Sequence, residues 1–293
     1  MQIIANRKIW FIFSGALIVL SLIALFVWGL KPSIDFTGGS LLEVQFKNLP
    51  SNEEVSGIFT SINLEAPSIQ SADNSTLVLR FQPVKEGEHQ DLVFQLKEKF
   101  GEVTEVRFDS IGPTVGRELF RRALLSVILV TLMILFYIAW SFRHVSRPVP
   151  ALVYAGIVII AFLHDVLIPL GLFAYLGHFR GWEVGSPFIA AVLTILGYSI
   201  SDTIVVLDRV RENVRKLKGT FEEIVEASVH QTISRSINTS VTTTLALFAI
   251  FLFGGPSLQS FALALIVGIA VGTYSSIFIA APFLVTWYNL RRR

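Results

Sequence analysis

Residues 9–30, IWFIFSGALIVLSLIALFVWGL, run from Ile9 to Leu30 without a charged side chain, directly after Arg7 and Lys8. A helix rising about 1.5 Å per residue crosses a hydrocarbon layer about 30 Å thick in roughly 20 apolar residues, so this stretch reads as a membrane span. It exceeds the roughly 7–15-residue apolar core of a signal peptide, and no small-residue cleavage site follows it. It is therefore expected to be an uncleaved anchor.

Working outward, five more stretches have the length and composition of spans, near 120–142, 149–176, 187–207, 236–253 and 258–288. Composition agrees. Hydrophobic residues make up 53% of the 293 and charged residues 16%, with a mean hydropathy of +0.63, whereas soluble domains carry about 25% charged residues. Part of the solvent of this chain is lipid. There is no cysteine, which excludes disulfides, thiolate metal sites and cysteine nucleophiles. No nucleophile triad, phosphate loop or metal cluster is visible either, so no soluble-enzyme reading survives. The net charge of +2 is small, and no nucleic-acid partner is expected.

Orientation follows from Lys and Arg near the span ends. One side carries Arg7, Lys8, Arg143, Arg147, Arg209, Arg211, Arg215, Lys216, Lys218, Arg235 and Arg291 to Arg293, thirteen in all, and the opposite short loops offer only Arg180. Both termini are thus expected in the cytoplasm and the long segment after the first span outside. The eight Lys and Arg of that long segment do not count against this, because long domains translocate largely regardless of charge. Three parts result: 1–30 with a short cytoplasmic N-terminus and span one, an outer domain over 31–117, and spans two to six over 118–293, with a cytoplasmic loop at about 208–234.

In the outer segment the apolar pattern becomes mixed, and six elements emerge. Ser40 to Phe46 alternates like a strand. Ser51 caps a helix whose first turn holds Glu53 and Glu54 and whose apolar face is Val55, Ile58, Phe59 and Ile62. Strands near 67–71 and 76–82 flank an Asp73-Asn74 turn. A helix over roughly 88–100 presents Leu92, Val93, Leu96 and Phe100 and stops at Gly101, and a strand over about 103–109 follows. The order βαββαβ predicts an α+β, ferredoxin-like domain with two helices on one face of a four-stranded sheet. Its only histidine, His89, is expected on the polar, solvated side of its helix. Asn74-Ser75-Thr76 matches a glycosylation acceptor at chance level.

Ionisable groups at membrane depth cost roughly 2.5–3.5 kcal/mol on insertion scales, so each asks for an explanation. Asp202 lies six residues before Asp208, about 9 Å inside the cytoplasmic rim of span four, with Tyr198 and Ser199 one turn before it. It is either a titrating or ion-pairing site or a structural carboxylate bonded to a neighbouring helix. His164-Asp165 sits near the middle of span three. Pro169, four residues on, removes the amide that would bond the Asp165 carbonyl, so a kink and a hydrated spot are expected beside the pair. Structural and functional readings of that pair stand level. Arg235, Asn238, Thr239, Thr242 and Thr243 form one hydrophilic face of span five, expected against other helices. Arg235 either snorkels to the cytoplasm or partners a carboxylate. Gly268 and Gly272, with Ser275 and Ser276 beyond, make a close-packing face of span six. Phe221, Ile224, Val225 and Val229 in the 208–234 loop have the spacing of a helix lying near the inner surface, the alternative being a solvated connector.

Several segments in order resemble the SecF family, the smaller half of the SecDF protein-export motor. They are Asp35-Phe36-Thr37-Gly38-Gly39 after span one, where two glycines permit a tight turn into the first strand, and Ile111-Gly112-Pro113-Thr114-Val115-Gly116 before span two. Gly197-Tyr198-Ser199-Ile200-Ser201-Asp202 follows with Asp208-Arg209-Val210-Arg211-Glu212-Asn213, then the Arg235 region, Thr242 to Thr244 and Phe253-Gly254-Gly255. The resemblance implies an RND-like α-helical membrane bundle of six transmembrane helices with a periplasmic domain between helices 1 and 2, in the bacterial inner membrane. It implies SecD and the SecYEG translocon as partners, with YajC and YidC as further candidates, and membrane lipid and a translocating secretory polypeptide in contact. It implies protons as the coupling ion with no other cofactor and no metal, and no hydrolytic chemistry. Asp202 and Arg235 become the charged pair of this half, with Ser201 where an Asn is common before the aspartate. The competing reading is half of an RND-type proton-coupled exporter of lipid or small hydrophobic molecules, and a third is a scaffold that steadies the translocon.

Overall fold

The computed structural model describes residues 2–71, 75–141 and 149–291. The expected Asp73-Asn74 turn, the Asn74 acceptor, and Arg143, Arg147, Arg292 and Arg293 of the charge count lie outside the described residues.

Among the described residues, six helices are long and apolar enough to cross a membrane. They are built from α1 (Arg7–Val27), α5 (Pro113–Ser141), α6 (Ala151–Arg180), α7 (Ser186–Lys216), α8 (Phe221–Phe253) and a last span made of α9 (Pro256–Ser275), a π-helical turn (Ser276–Ala280) and α10 (Ala281–Arg291). Between α1 and α5 come α2 (Ile34–Thr37), β1 (Gly39–Phe46), α3 (Asn52–Ser61), β2 (Ser68–Ser71), β3 (Thr76–Phe81), α4 (Glu86–Phe100) and β4 (Val103–Ile111).

The chain forms two compact units. One contains the segments up to Leu30, Ser126–Trp182 and Pro187 onward; the other is Lys31–Leu125 together with the short stretch Glu183–Ser186. The second unit thus reaches beyond the 31–117 expected from sequence and recruits the turn between α6 and α7.

In the helical unit, outward positions such as Ile12, Phe26, Met133 and Phe136 are exposed and apolar, as a lipid-facing surface requires, while Tyr154, Val206, Val225, Val229, Leu284 and Val285 pack inward. Gly171 lets α6 lie directly on α1, since any side chain there would overlap Ser21. Helix α6 continues through Pro169 as an unbroken helix.

The 208–234 segment is neither the cytoplasmic loop expected there nor a separate surface helix. Helix α7 runs on to Lys216, the connection is only 217–220, and α8 starts at Phe221. Thr220 and Glu223 form a reciprocal capping box there. No Gly or Pro occurs from Phe221 to Phe253, so nothing interrupts the helix before it becomes span five. The amphipathic face is buried inside the unit, where the Glu226 carboxylate accepts from the amides of Ile3 at 2.8 Å and Ile4 at 2.7 Å.

In the other unit the strands pair antiparallel in the order β2-β3-β1-β4, with Leu42 opposite Leu79 and Phe108. Leu42, Val44, Phe46, Leu77, Leu79 and Phe81 meet Val55, Ile58 and Phe59 of α3 and Leu92, Val93 and Leu96 of α4 in one core. Ser51 and Glu54 cap α3 reciprocally. His89 departs from expectation. It is buried and stacks on Phe108 with ring centroids 3.7 Å apart, between Glu86 at 3.4 Å and Glu105 at 3.2 Å. The physical reason is spacing. His89 precedes Leu92, Val93 and Leu96 by three, four and seven residues and so continues their stripe.

Candidate functional site

The Asp35-Phe36-Thr37-Gly38-Gly39 segment folds as α2 and the step into β1. Gly38 and Gly39 hold φ of +76° and +127°, and a Cβ on Gly38 would come within 2.8 Å of the Pro113 backbone. Gly116 approaches the same point, its own Cβ position being 2.8 Å from the Gly38 amide nitrogen. The two glycine-bearing motifs therefore close on each other backbone to backbone. Phe36 is buried edge-on to Phe120, and Thr37 Oγ1 donates to the Ser33 carbonyl at 3.0 Å. The Asp35 carboxylate accepts the Ser186 amide at 2.7 Å, so it caps the first turn of α7.

The α6–α7 turn is fastened at further points of the same unit. Val184 and Lys31–Ser33 exchange backbone hydrogen bonds of 2.8 and 3.0 Å. Glu183 lies 2.8 Å from Arg80 Nε on β3 and 3.5 Å from Lys31 Nζ. Burial outweighs both cations and pushes the Glu183 carboxyl above the ordinary glutamate range.

Within the helical unit the polar side chains sort into two places. At the first, Ser236 Oγ of α8 donates to Asp202 Oδ1 at 2.5 Å. Asp202 Oδ2 is buried and receives no aligned hydrogen bond among the described residues, although Ser276 lies beside it. The Arg235 side chain is exposed, and no ion pair joins it to Asp202 among the described residues. The charged pair expected from the family resemblance is thus not closed here.

At the second, a carboxyl and an imidazole are fully buried. His164 Nδ1 is 2.8 Å from Asp165 Oδ1, and Asp165 Oδ2 lies within hydrogen-bond distance of Ser275 Oγ, at 2.8 Å, and of Ser199 Oγ. Ser276 Oγ bonds Thr203 Oγ1 at 2.8 Å, and Tyr198 reaches Ser240 at 3.4 Å, with Thr273 on the other side of that serine. Ser275 and Ser276 straddle the start of the π-helical turn, a local widening that recurs at functional sites. Gly272 makes room for Ser199, its Cβ position lying 2.8 Å from the Ser199 Cβ.

The expected seam of Arg235, Asn238, Thr239 and Thr242 is exposed in this chain instead of packed. Its threonine hydroxyls turn back onto their own helix, Thr239 to the Arg235 carbonyl at 3.0 Å and Thr242 to the Asn238 carbonyl at 2.9 Å. The inward face of α8 carries Ser236 and Ser240 instead, which the sequence reading passed over. Their spacing of four residues is a helical signal, but it lay beside the more conspicuous run of threonines.

A family model described as protein export membrane protein SecD/SecF, C-terminal, matches residues 92–290, and one described as the SecD/SecF GG motif matches residues 23–48. A protein translocase subunit SecF from Anaerolinea thermophila is 42% identical over 98% of this chain and 94% of its own length. This chain belongs to the SecF family. Similarity extends to SecDF proteins, in which the match is partial: SecDF of Brucella abortus is 38% identical over 90% of this chain and 34% of its own length. The crystal structure of SecDF from Thermus thermophilus, a translocon-associated membrane protein, superposes with a TM-score of 0.85 at 32% identity, covering 99% of this chain and 39% of that one. This chain is a multi-pass membrane protein with a role in Sec protein translocation.

Proposed function

We propose that this chain joins SecD to form a proton-driven motor that promotes export of secretory polypeptides emerging from SecYEG. The observation that carries the reading is Asp202, a carboxylate at membrane depth with one buried oxygen lacking an aligned donor among the described residues. Protonation removes most of the penalty of such a group, so a proton taken on one side and released on the other shifts the conformational balance. Each charge crossing 100 mV supplies about 2.3 kcal/mol, enough to bias an equilibrium of that size.

Partnership with SecD is supported by the fused Brucella relative and by the uncovered face of Arg235, Asn238, Thr239 and Thr242, since polar residues within a span need protein beside them. YajC and YidC are further candidate partners. The outer unit is a ferredoxin-like periplasmic domain, a reading supported by its βαββαβ order and antiparallel β2-β3-β1-β4 pairing. The chain lies in the inner membrane with cytoplasmic termini, supported by the thirteen-to-one charge bias. Protons are the coupling ion, and the chain works without hydrolytic chemistry or a metal.

Complementation of a SecF-depleted strain tests this. Asp202→Asn should insert normally and fail to restore export; full restoration refutes the proton role. Photo-crosslinkers at Asn238 or Thr242 should capture SecD, and capture of half of an exporter instead would refute the partnership.

A further inference from the structure

The bundle holds a second carboxyl whose surroundings differ from those of Asp202. Asp165 and His164 are 0% and 1% exposed, and His164 is the only ionisable side chain touching Asp165 among the described residues. His164 Nε2 is buried and has no hydrogen-bond partner among the described residues, while the ring of Tyr274 lies over the imidazole at 6.0 Å. Tyr274 is itself engaged, accepting from Ser14 at 3.2 Å and donating to the Trp10 carbonyl at 3.3 Å.

This geometry restricts where protons sit. A buried N–H without an acceptor is rarer than a buried lone pair without a donor, so Nε2 is the bare nitrogen and Nδ1 carries the hydrogen donated to Asp165 Oδ1. The imidazole is then neutral and supplies no positive charge. An ionised Asp165 would be an uncompensated anion in the core, which interiors avoid by neutralising the group. Oδ2 meets two hydroxyls, each able to donate or accept.

We propose that Asp165 is a second proton-binding carboxyl of this chain, protonated on Oδ2 in the arrangement seen, with the proton held between Ser199 and Ser275. His164, Ser199 and Ser275 stand on α6, α7 and α9, so one carboxylic acid joins three helices. Release of the proton passes it from Oδ2 to a water, which those helices must part to admit, and leaves a carboxylate held by the two hydroxyls and the Nδ1 hydrogen. The site rests on the proton-coupled reading for its use but not for its existence.

Infrared difference spectroscopy of the full chain with SecD in liposomes, stepped in pH, reads the site directly. The wild type should show a carboxylic-acid carbonyl band that Asp165→Asn abolishes and Asp202→Asn leaves in place. Ser275→Ala, which removes one hydrogen-bond partner without touching the carboxyl, should keep the band and shift its frequency. An acid band unchanged in Asp165→Asn overturns the proposal. So does a Ser275→Ala spectrum identical to the wild type, which serves where Asp165→Asn does not insert. Normal export by Asp202→Asn, by contrast, would sink the proposed motor while leaving the Asp165 band standing.

Discussion

Two glycines on neighbouring spans are expected to answer the same substitution with opposite signs. A Cβ on Gly272 would sit 2.8 Å from the Ser199 Cβ and 3.3 Å from its Oγ, well inside ordinary contact. Gly272→Ala therefore forces α9 and α7 apart or turns Ser199 aside. Overpacking of this kind costs roughly 1–3 kcal/mol. Turning Ser199 also loses its hydrogen bond to Asp165, worth about 1 kcal/mol for a neutral pair. The total, about 2–4 kcal/mol, is a large part of the stability of an ordinary domain. At Gly197 a Cβ meets nothing within 4 Å, and the residue sits inside α7. Gly197→Ala should stabilise the isolated chain by about 0.5–1 kcal/mol through helix propensity. Reversible unfolding in mixed micelles, each variant against wild type, measures both. Equal effects of the two substitutions, or no loss in Gly272→Ala, would refute the close α7–α9 packing on which the buried site depends.

Other substitutions probe the outer unit. Arg80→Gln strips Glu183 of its nearest cation and should cost on the order of 3 kcal/mol at neutral pH, the low end for a broken buried pair. The sign with pH follows from the raised Glu183 carboxyl. The folded state holds its proton to higher pH than the unfolded state, so its stability contribution is full below the unfolded value and falls as pH rises through the folded one. The Arg80→Gln deficit should therefore shrink on acidification, as thermal melts across the carboxylate range would record. Ser51→Ala removes the cap of α3 and should lower stability by about 1 kcal/mol in denaturant titrations.

The spans were legible because lipid imposes long uncharged runs, and Ile9 to Leu30 needed no partner to be read. Helix ends were less so. Span four was expected to stop near 207 and span five to start at 236, because hydropathy marks where lipid ends and not where the helix does. Glu212, Asn213 and Glu226 are polar yet helical, held by caps and buried contacts. The outer strands and helices followed from period and capping residues, and the burial of His89 was legible in its spacing from Leu92, Val93 and Leu96, whereas its stacking on Phe108 was not. At the site, Asp202, Arg235, His164 and Asp165 stood out by cost alone. Ser199 and Ser275 were legible only as part of a polar stripe and of a packing face, and Ser236 not at all, because which hydroxyl meets which carboxyl depends on which helices meet. The attachment of Glu183 to Arg80 joins residues distant in sequence, and no local pattern announced it.

Proton uptake into proteoliposomes containing this chain and SecD, driven by an imposed membrane potential, tests the central claim most directly. Uptake is expected in the wild type and its loss in Asp202→Asn at equal protein incorporation. Undiminished uptake in Asp202→Asn would contradict it.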